Sequence, residues 1–220
     1  MTPTLTVHQV EQRTPEWFTA RLGKLTGSRA ADATAKLKSG AEAASVKNLR
    51  IQLVLERITN KPHDRDHKSW AMQQGIDSEA DAFAAYEALT GTLLQRVGFV
   101  ERTDAPMGCS LDGVVGDVEQ PTGIIEIKAP YSATHLDYLT TGKVPGDYLK
   151  QITHSLYVTG AEWCDWLSFD PAFPAPLQAK LVRVQRTDVD IDGYAADALA
   201  FLVSVSRQEG AVRAMLERAG

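Results

Sequence analysis

Apolar and polar positions along the chain follow two different rhythms. In the first third the spacing is helical. Pro15-Glu16-Trp17-Phe18 opens a short helix that runs to about Arg21. Leu25-Thr26-Gly27-Ser28 reads as a turn, with Ser28 as the N-cap of a helix to about Lys38. Val46, Leu49, Leu53 and Ile58 mark a third helix from about Ala43 to Thr59. A fourth runs from about Trp70 to Leu89, with Gly91 just past its end. The period then shortens. Leu94–Glu101, Met107–Val115, Gly123–Lys128, Trp163–Phe169 and Lys180–Gln185 read as strands, with helices near Ser132–Leu139 and Gly146–Val158 between them. Ile191, Ala195, Ala198, Phe201, Val205, Val212 and Met215 define a last helix from about Val189 to Arg218. The pattern predicts an α/β fold, with helices around a central mixed sheet of about four or five strands.

The 220 residues contain no repeat, low-complexity tract or Ser/Gly linker, so one domain is expected. Its parts are a helical region over about 1–92, a sheet core over about 93–187 and a terminal helix over about 188–219. With 44% hydrophobic and 23% charged residues the chain is close to the globular norm, which excludes disorder as its general state. No apolar run reaches membrane-spanning length, and MTPTLTVHQVEQRTPEW lacks the charged start and apolar core of a signal peptide. Two cysteines, Cys109 and Cys164, give neither a disulfide framework nor a zinc site and fit a reducing cytoplasm. A net charge of −5 argues against a uniformly basic DNA binder. A groove needs only a local excess of Lys and Arg, so nucleic acid is not excluded.

The chemistry concentrates in two of the predicted strands. Alternation puts Ser110 and Asp112 on one face of Met107–Val115, opposite Met107, Cys109 and Leu111. In Gly123–Lys128, Glu126 and Lys128 share a face with Ile124, while Ile125 and Ile127 take the other. A turn through Val118–Thr122 would bring Asp112, Glu126 and Lys128 together. Polar faces of hairpins are usually just solvated. Here the apolar run around Glu126 predicts a central strand, where a carboxylate and an ammonium need a reason to be buried. A salt bridge is one reason and a metal is the other. In the helix from Trp70, the stripe Met72, Ile76, Phe83, Tyr86 and Leu89 is completed by Glu79, an acid at a core-facing position. Its alternatives are a buried salt bridge, to Lys128 or Arg21, and a third metal-facing carboxylate. Carboxylates beside a lysine suit a hard cation such as Mg²⁺, which partners phosphates, and two such ions can drive phosphodiester hydrolysis. No Gly-x-x-x-x-Gly-Lys-Ser/Thr loop points to nucleotide hydrolysis.

Ser110-Leu111-Asp112-Gly113, with thirteen residues between Asp112 and Glu126-Ile127-Lys128, resembles the PD-(D/E)xK nuclease motif. Three further blocks narrow the resemblance. Glu16–Ser28 (EWFTARLGKLTGS), Gly75–Glu79 (GIDSE) and Tyr148–Gly160 (YLKQITHSLYVTG) are similar, in order, to the sequence blocks of the phage lambda exonuclease-like viral recombinases, the alkaline exonuclease family. Together they cover roughly residues 15–170. The resemblance implies a restriction-endonuclease-like core and a 5′→3′ exonuclease. Such enzymes digest one strand of double-stranded DNA processively from a 5′ end to mononucleotides and leave a 3′ single-stranded tail. It implies Mg²⁺, as two ions with Mn²⁺ a possible substitute, a homotrimeric ring, and a single-strand annealing protein as partner in recombination. It implies Asp112, Glu126 and the Ile127 carbonyl as metal ligands, with Glu79 at the second metal or its waters. Lys128 would assist the attacking water, and Arg21, Ser28, Ser110 and Gln151 would hold the 5′-phosphate. A bacterial or phage-infected cytoplasm is the implied location.

The phosphate pocket has a physical basis of its own. Arginine presents a forked donor to phosphate, and free N–H groups at a helix start attract anions. An ordinary surface arginine at 21 and a plain cap at 28 are the competing readings. The usual proline before the aspartate is Leu111 here, which changes backbone stiffness but not ligand chemistry. Val114–Thr122 looks like a lengthened surface hairpin, and Pro171–Pro176 an extended loop. Trp17 stacks on DNA, supports Arg21, or is a semi-buried structural tryptophan. Trp163, Trp166 and Cys109 read as core residues, and His154, at helical spacing from Gln151, reads as a satisfied structural histidine with an approach to the site as the alternative. His63 and His67 with Asp64 and Asp66 are a weak ligand cluster. Lys36, Lys38, Lys47 and Arg50 either line a DNA track or form a solvated helix face. Two rival functions stay open: a structure- or site-specific endonuclease of the same superfamily, and a non-catalytic DNA-end-binding scaffold.

Overall fold

The structure is a computed structural model that describes residues 3–63 and 70–219, without the side chains of residues 70–77 and 219. Asp64, Asp66 and His67 of the weak ligand cluster therefore lie outside the described residues. So do the side chains of Met72 and Ile76 from the predicted stripe.

The chain opens with β1 (Leu5–His8), α1 (Pro15–Arg21) and β2 (Leu25–Thr26). A 3₁₀ turn over Gly27–Arg29 leads into a single-turn α2 (Ala30–Ala33), followed by α3 (Ala44–Thr59) and α4 (Trp70–Thr90). Four strands come next: β3 (Phe99–Arg102), β4 (Met107–Cys109), β5 (Gly113–Gly116) and β6 (Pro121–Lys128). After α5 (Ser132–Thr141) and α6 (Gly146–Thr159), β7 (Trp163–Phe169) and β8 (Ala179–Gln185) lead to α7 (Ile191–Ala219).

The helix-flanked mixed α/β architecture agrees with the sequence pattern, but the strands form two sheets rather than one. The first has the order β1-β3-β4-β2 and the second β5-β6-β7-β8, each with one parallel pair. The predicted strand Met107–Val115 breaks at Ser110-Leu111-Asp112, where the chain leaves the first sheet and enters the second. The amino-terminal part is not wholly helical, since it supplies β1 and β2 to the first sheet. The expected helix from Ser28 to Lys38 is also short. Thr26, not Ser28, occupies the N-cap position of the 3₁₀ turn, and α2 ends at Ala33.

Strand β6 is the central strand expected from its composition. It pairs antiparallel with β5 and parallel with β7, and the parallel crossover runs through α5 and α6. Its two faces pack on different layers. Ile124 joins the main core with Trp166, Cys164, Ile152 and Leu156, and that core extends from Leu25 to Val205 of α7. Ile125 turns the other way, to Ala82 and Tyr86 of α4. A strand sandwiched between α4 and α6 has little room for charge, so the polar residues at its carboxyl end mark the site.

Candidate active site

The hairpin register sets the two carboxylates side by side. Gly113 pairs with Ile125, so the next pair outward is Asp112 with Glu126. Asp112 Oδ2 accepts a hydrogen bond from the Ile127 backbone N–H at 2.6 Å, which extends the ladder by one side-chain link. Glu126 is 4% exposed. Its Oε1 accepts from the Lys128 ammonium and, at 2.7 Å, from the Gln151 amide. Lys128 Nζ also lies 4.9 Å from the centre of the Tyr148 ring. Tyr148 and Gln151 are one turn apart on α6, so a single helical face carries both.

The charges are crowded. Burial and the Glu126 charge push the Asp112 carboxyl up to about 7, the Glu79 charge adds to this, and Lys128 and the Ile127 N–H work against it. For Lys128, burial disfavours the ammonium, but the Glu126 and Asp112 carboxylates outweigh it and hold the group above the ordinary lysine range. Two carboxylates forced together beside one lysine favour a further cation. Asp112, Glu126 and the Ile127 carbonyl offer only hard oxygen donors, which fits Mg²⁺ rather than a soft metal.

Glu79 is arranged otherwise. Its partners are neither Lys128 nor Arg21. Oε2 accepts from both terminal nitrogens of Arg13 at 3.3 and 3.4 Å, and Oε1 from Arg96 at 2.8 Å. Arg96 also lies over the Phe83 ring, 4.4 Å from its centre. Among the described residues no set of three acid, histidine or cysteine side chains converges as a preformed metal cluster. Asp112 and Glu126 are together, and Glu79 faces its arginines.

Beside Asp112 lies a corner of hydrogen-bond donors gathered on Ser110. Thr14 caps α1, its Oγ1 accepting from the Trp17 N–H at 3.3 Å, with Pro15 at the first helical position. The helix ends at Arg21, and the turn beyond is pinned by α3. The Gly23 N–H donates to Glu56 Oε2 at 2.8 Å, and Arg57 Nε donates to the Gly23 carbonyl at 2.8 Å. Gly23 has φ +67°, and a Cβ there would meet Arg57 Cγ at 2.6 Å, so glycine is required. Thus anchored, the Arg21 guanidinium lies 3.9 Å above the Trp17 ring and donates to Ser110 Oγ at 2.9 Å. The Trp17 indole N–H donates to the same oxygen at 2.9 Å and to the Gly98 carbonyl at 3.2 Å. Trp17 therefore supports Arg21. Two donors occupy the lone pairs of Ser110, which leaves its own O–H to donate to an anion.

The parallel register of β2 and β4 pairs Leu25 with Met107 and Thr26 with Gly108. Ser28 and Ser110 thus emerge at the same end of the pair. Ser28 is exposed, and the Gly27 position abuts Gln151, since a Cβ at Gly27 would lie 3.4 Å from Gln151 Cγ. Gln151 itself donates to Glu126, so it links the Gly27–Ser28 turn to the carboxylates.

The remaining candidates are structural. His154 is buried. Its Nε2–H donates to the Gly108 carbonyl at 2.9 Å, and Nδ1 accepts from the Tyr194 hydroxyl at 2.6 Å. Burial pulls its pKa down to about 4. Cys109 and Trp166 are core residues, and Trp163 carries Arg183 on its face at 3.7 Å. Within the basic stretch, Lys36 pairs with Asp197 and Arg50 with Glu42. Sequence reasoning missed Arg13, Arg96, Gln12 and Tyr148. For Tyr148 a signal existed in its spacing from Gln151. For the others no periodicity marks a partner more than a dozen residues away.

Residues 16–162 match the YqaJ-like viral recombinase domain. The chain belongs to this viral recombinase family. No curated protein matches it. An alkaline exonuclease from Laribacter hongkongensis is 36% identical, with a TM-score of 0.82 over 94% of this chain and 100% of that one. A structure of LHK-Exo in complex with dAMP gives the same values. A phage-related exonuclease from Haemophilus somnus 129PT, at 13% identity and a TM-score of 0.63 over 88% of this chain and 96% of that one, shares the fold. Three of the four sequence blocks of this viral recombinase meet around Asp112, while the fourth brings Glu79 to Arg13 and Arg96. No helix among its described residues is long and apolar enough to cross a membrane.

Proposed function

We propose that this chain is a Mg²⁺-dependent DNA exonuclease that digests one strand of a duplex from a 5′-phosphorylated end, releasing mononucleotides and leaving a 3′ single-stranded tail. The observation that carries the reading is the placement of an anion corner, Arg21 on Ser110, two residues along the chain from Asp112. A terminal phosphate bound in that corner lies next to the carboxylate pair, so cleavage begins at an end rather than within the duplex. The relationship to an alkaline exonuclease supports the same reading.

In this account Asp112, Glu126 and the Ile127 carbonyl would hold Mg²⁺, and Glu79, once free of Arg13 and Arg96, would serve the second of two ions. Bound Mg²⁺ supplies Lewis acidity at the scissile phosphate. Lys128, held between Glu126 and the Tyr148 face, orients the attacking water and offsets charge as the phosphate is attacked. Arg21, Ser28, Ser110 and Gln151 hold the 5′-phosphate, and the Arg21 fork supplies most of the discrimination for it. A homotrimeric ring would explain processive digestion, because a closed ring does not fall from its track between cuts. A single-strand annealing protein that takes the 3′ tail completes the recombination role.

The test is strand-labelled linear duplex, with and without a 5′-phosphate, beside closed circular DNA, in Mg²⁺ and in chelator. Mononucleotides released from the 5′-phosphorylated strand in Mg²⁺ alone support the proposal. Internal cuts in closed circles would replace it with an endonuclease. Binding to ends with no cleavage would leave a scaffold protein.

A further inference from the structure

We propose that Arg13 and Arg96 form a second DNA-phosphate subsite, distinct from the Arg21–Ser110 corner, which the Glu79 carboxylate fills until a DNA strand arrives. The inference rests on the exonuclease reading above and extends it to a further set of strand contacts. Three observations carry it.

The first is charge. Two guanidiniums converge on one carboxylate, Arg13 on Oε2 and Arg96 on Oε1, so the cluster keeps one positive charge in excess. Guanidinium forks that accommodate a carboxylate also accommodate phosphate oxygens. The second is access. The Arg13 and Arg96 side chains are 44% and 55% exposed, and exposed ion pairs are worth only about 0–1 kcal/mol. An incoming phosphate therefore displaces Glu79 at little cost, and the released carboxylate becomes available to a cation.

The third is how the two arginines are held. Arg13 has φ +71° at the third position of a turn closed from the Thr14 N–H to the Glu11 carbonyl at 3.4 Å. That position favours glycine or asparagine, and a left-handed arginine costs about 1 kcal/mol or more. Its neighbours fix it on both sides. The Gln12 amide donates to the Leu111 carbonyl at 3.0 Å, immediately before Asp112, and Thr14 caps α1. Arg96 rests on Phe83, one helical turn beyond Glu79. Arg13 is thereby tied through its neighbour Gln12 to the chain next to Asp112, and Arg96 joins it on Glu79. Because a DNA strand carries phosphates in continuous succession, an end seated on Arg21 presents others to the surrounding surface.

The test is equilibrium binding of a 5′-phosphorylated duplex in chelator, measured across a range of salt concentrations. Arg13→Gln and Arg96→Gln should each lower the slope of log affinity against log salt, and the double variant, which loses the phosphate contact altogether, should lower it by about 0.9. Both should keep the preference for a 5′-phosphate, which Arg21→Gln loses. Glu79→Gln, which leaves both arginines in place, should tighten binding several-fold, and it keeps the test decisive if an arginine variant fails to fold. An unchanged affinity and slope in a folded double variant, or unchanged affinity in Glu79→Gln, overturns the inference while leaving the exonuclease reading intact. Failure of the wild-type chain to bind DNA ends overturns both.

Discussion

Arg21→Lys isolates the anion corner from the rest of the site. Lysine keeps the positive charge but loses the planar fork, the stacking on Trp17 at 3.9 Å and the 2.9 Å bond to Ser110 Oγ. A hydrogen bond to a charged group is worth about 1.5–3 kcal/mol, and losing one such contact to a bound phosphate lowers its recognition by about 10- to 150-fold. The assay is kcat/KM on two linear duplexes that differ only in a 5′-phosphate or a 5′-hydroxyl. The expected result is a fall of that size on the phosphorylated duplex and little change on the other, so that their ratio collapses. Because Arg21 acts through Ser110 and Trp17 rather than through Glu126 or Lys128, a general loss of chemistry is not expected. If both substrates fall equally, or the ratio is unchanged, Arg21 does not read the terminal phosphate and the argument for end recognition fails.

Other outcomes follow from the same geometry. Since the Asp112 carboxyl is raised to about 7, protons compete with a cation there, and the fold without cation loses stability as pH rises from near 4 through about 7. Thermal melts should therefore show a larger Mg²⁺-induced rise in Tm at pH 8 than at pH 6, and an equal rise at both would contradict this. His154 is depressed to about 4, so it favours the fold above its unfolded value near 6.5, and that stability, up to about 3 kcal/mol, is lost as pH falls through 4. His154→Gln should flatten the acid limb of a stability profile while lowering stability at neutral pH, measured by urea unfolding. Gly98→Ala would drive a Cβ to 1.9 Å from the Val10 carbonyl oxygen and should cost about 3 kcal/mol or abolish folding, whereas a near-wild-type Tm would mean that this contact relaxes freely.

Helices with strong periodicity were legible: α3, α4, α6 and α7 lie within a residue or two of their expected spans. The short strands were not. β1 has only four residues, and β2 has two whose partner Met107 is some eighty residues distant, so neither leaves an alternating pattern to read. The break at Ser110-Leu111-Asp112 was hidden for a related reason. Alternation continues through it in sequence while the backbone changes sheets. At the site, Asp112, Glu126 and Lys128 were readable because a hairpin is local and its register follows from alternation. Glu79 was readable as an anomaly in an apolar stripe. Its arginine partners were not, because Arg13 sits in an irregular turn and Arg96 just before a strand, where no period links either to α4.

The most direct test of the central claim compares the wild-type chain with Asp112→Asn and Lys128→Gln on a 5′-phosphorylated linear duplex in Mg²⁺, scoring mononucleotide release and DNA binding on the same preparations. The account predicts that both variants bind ends while hydrolysis falls by several orders of magnitude for Asp112→Asn and by at least about a hundredfold for Lys128→Gln. Full hydrolysis by folded Asp112→Asn would show that the chemistry lies elsewhere in the molecule.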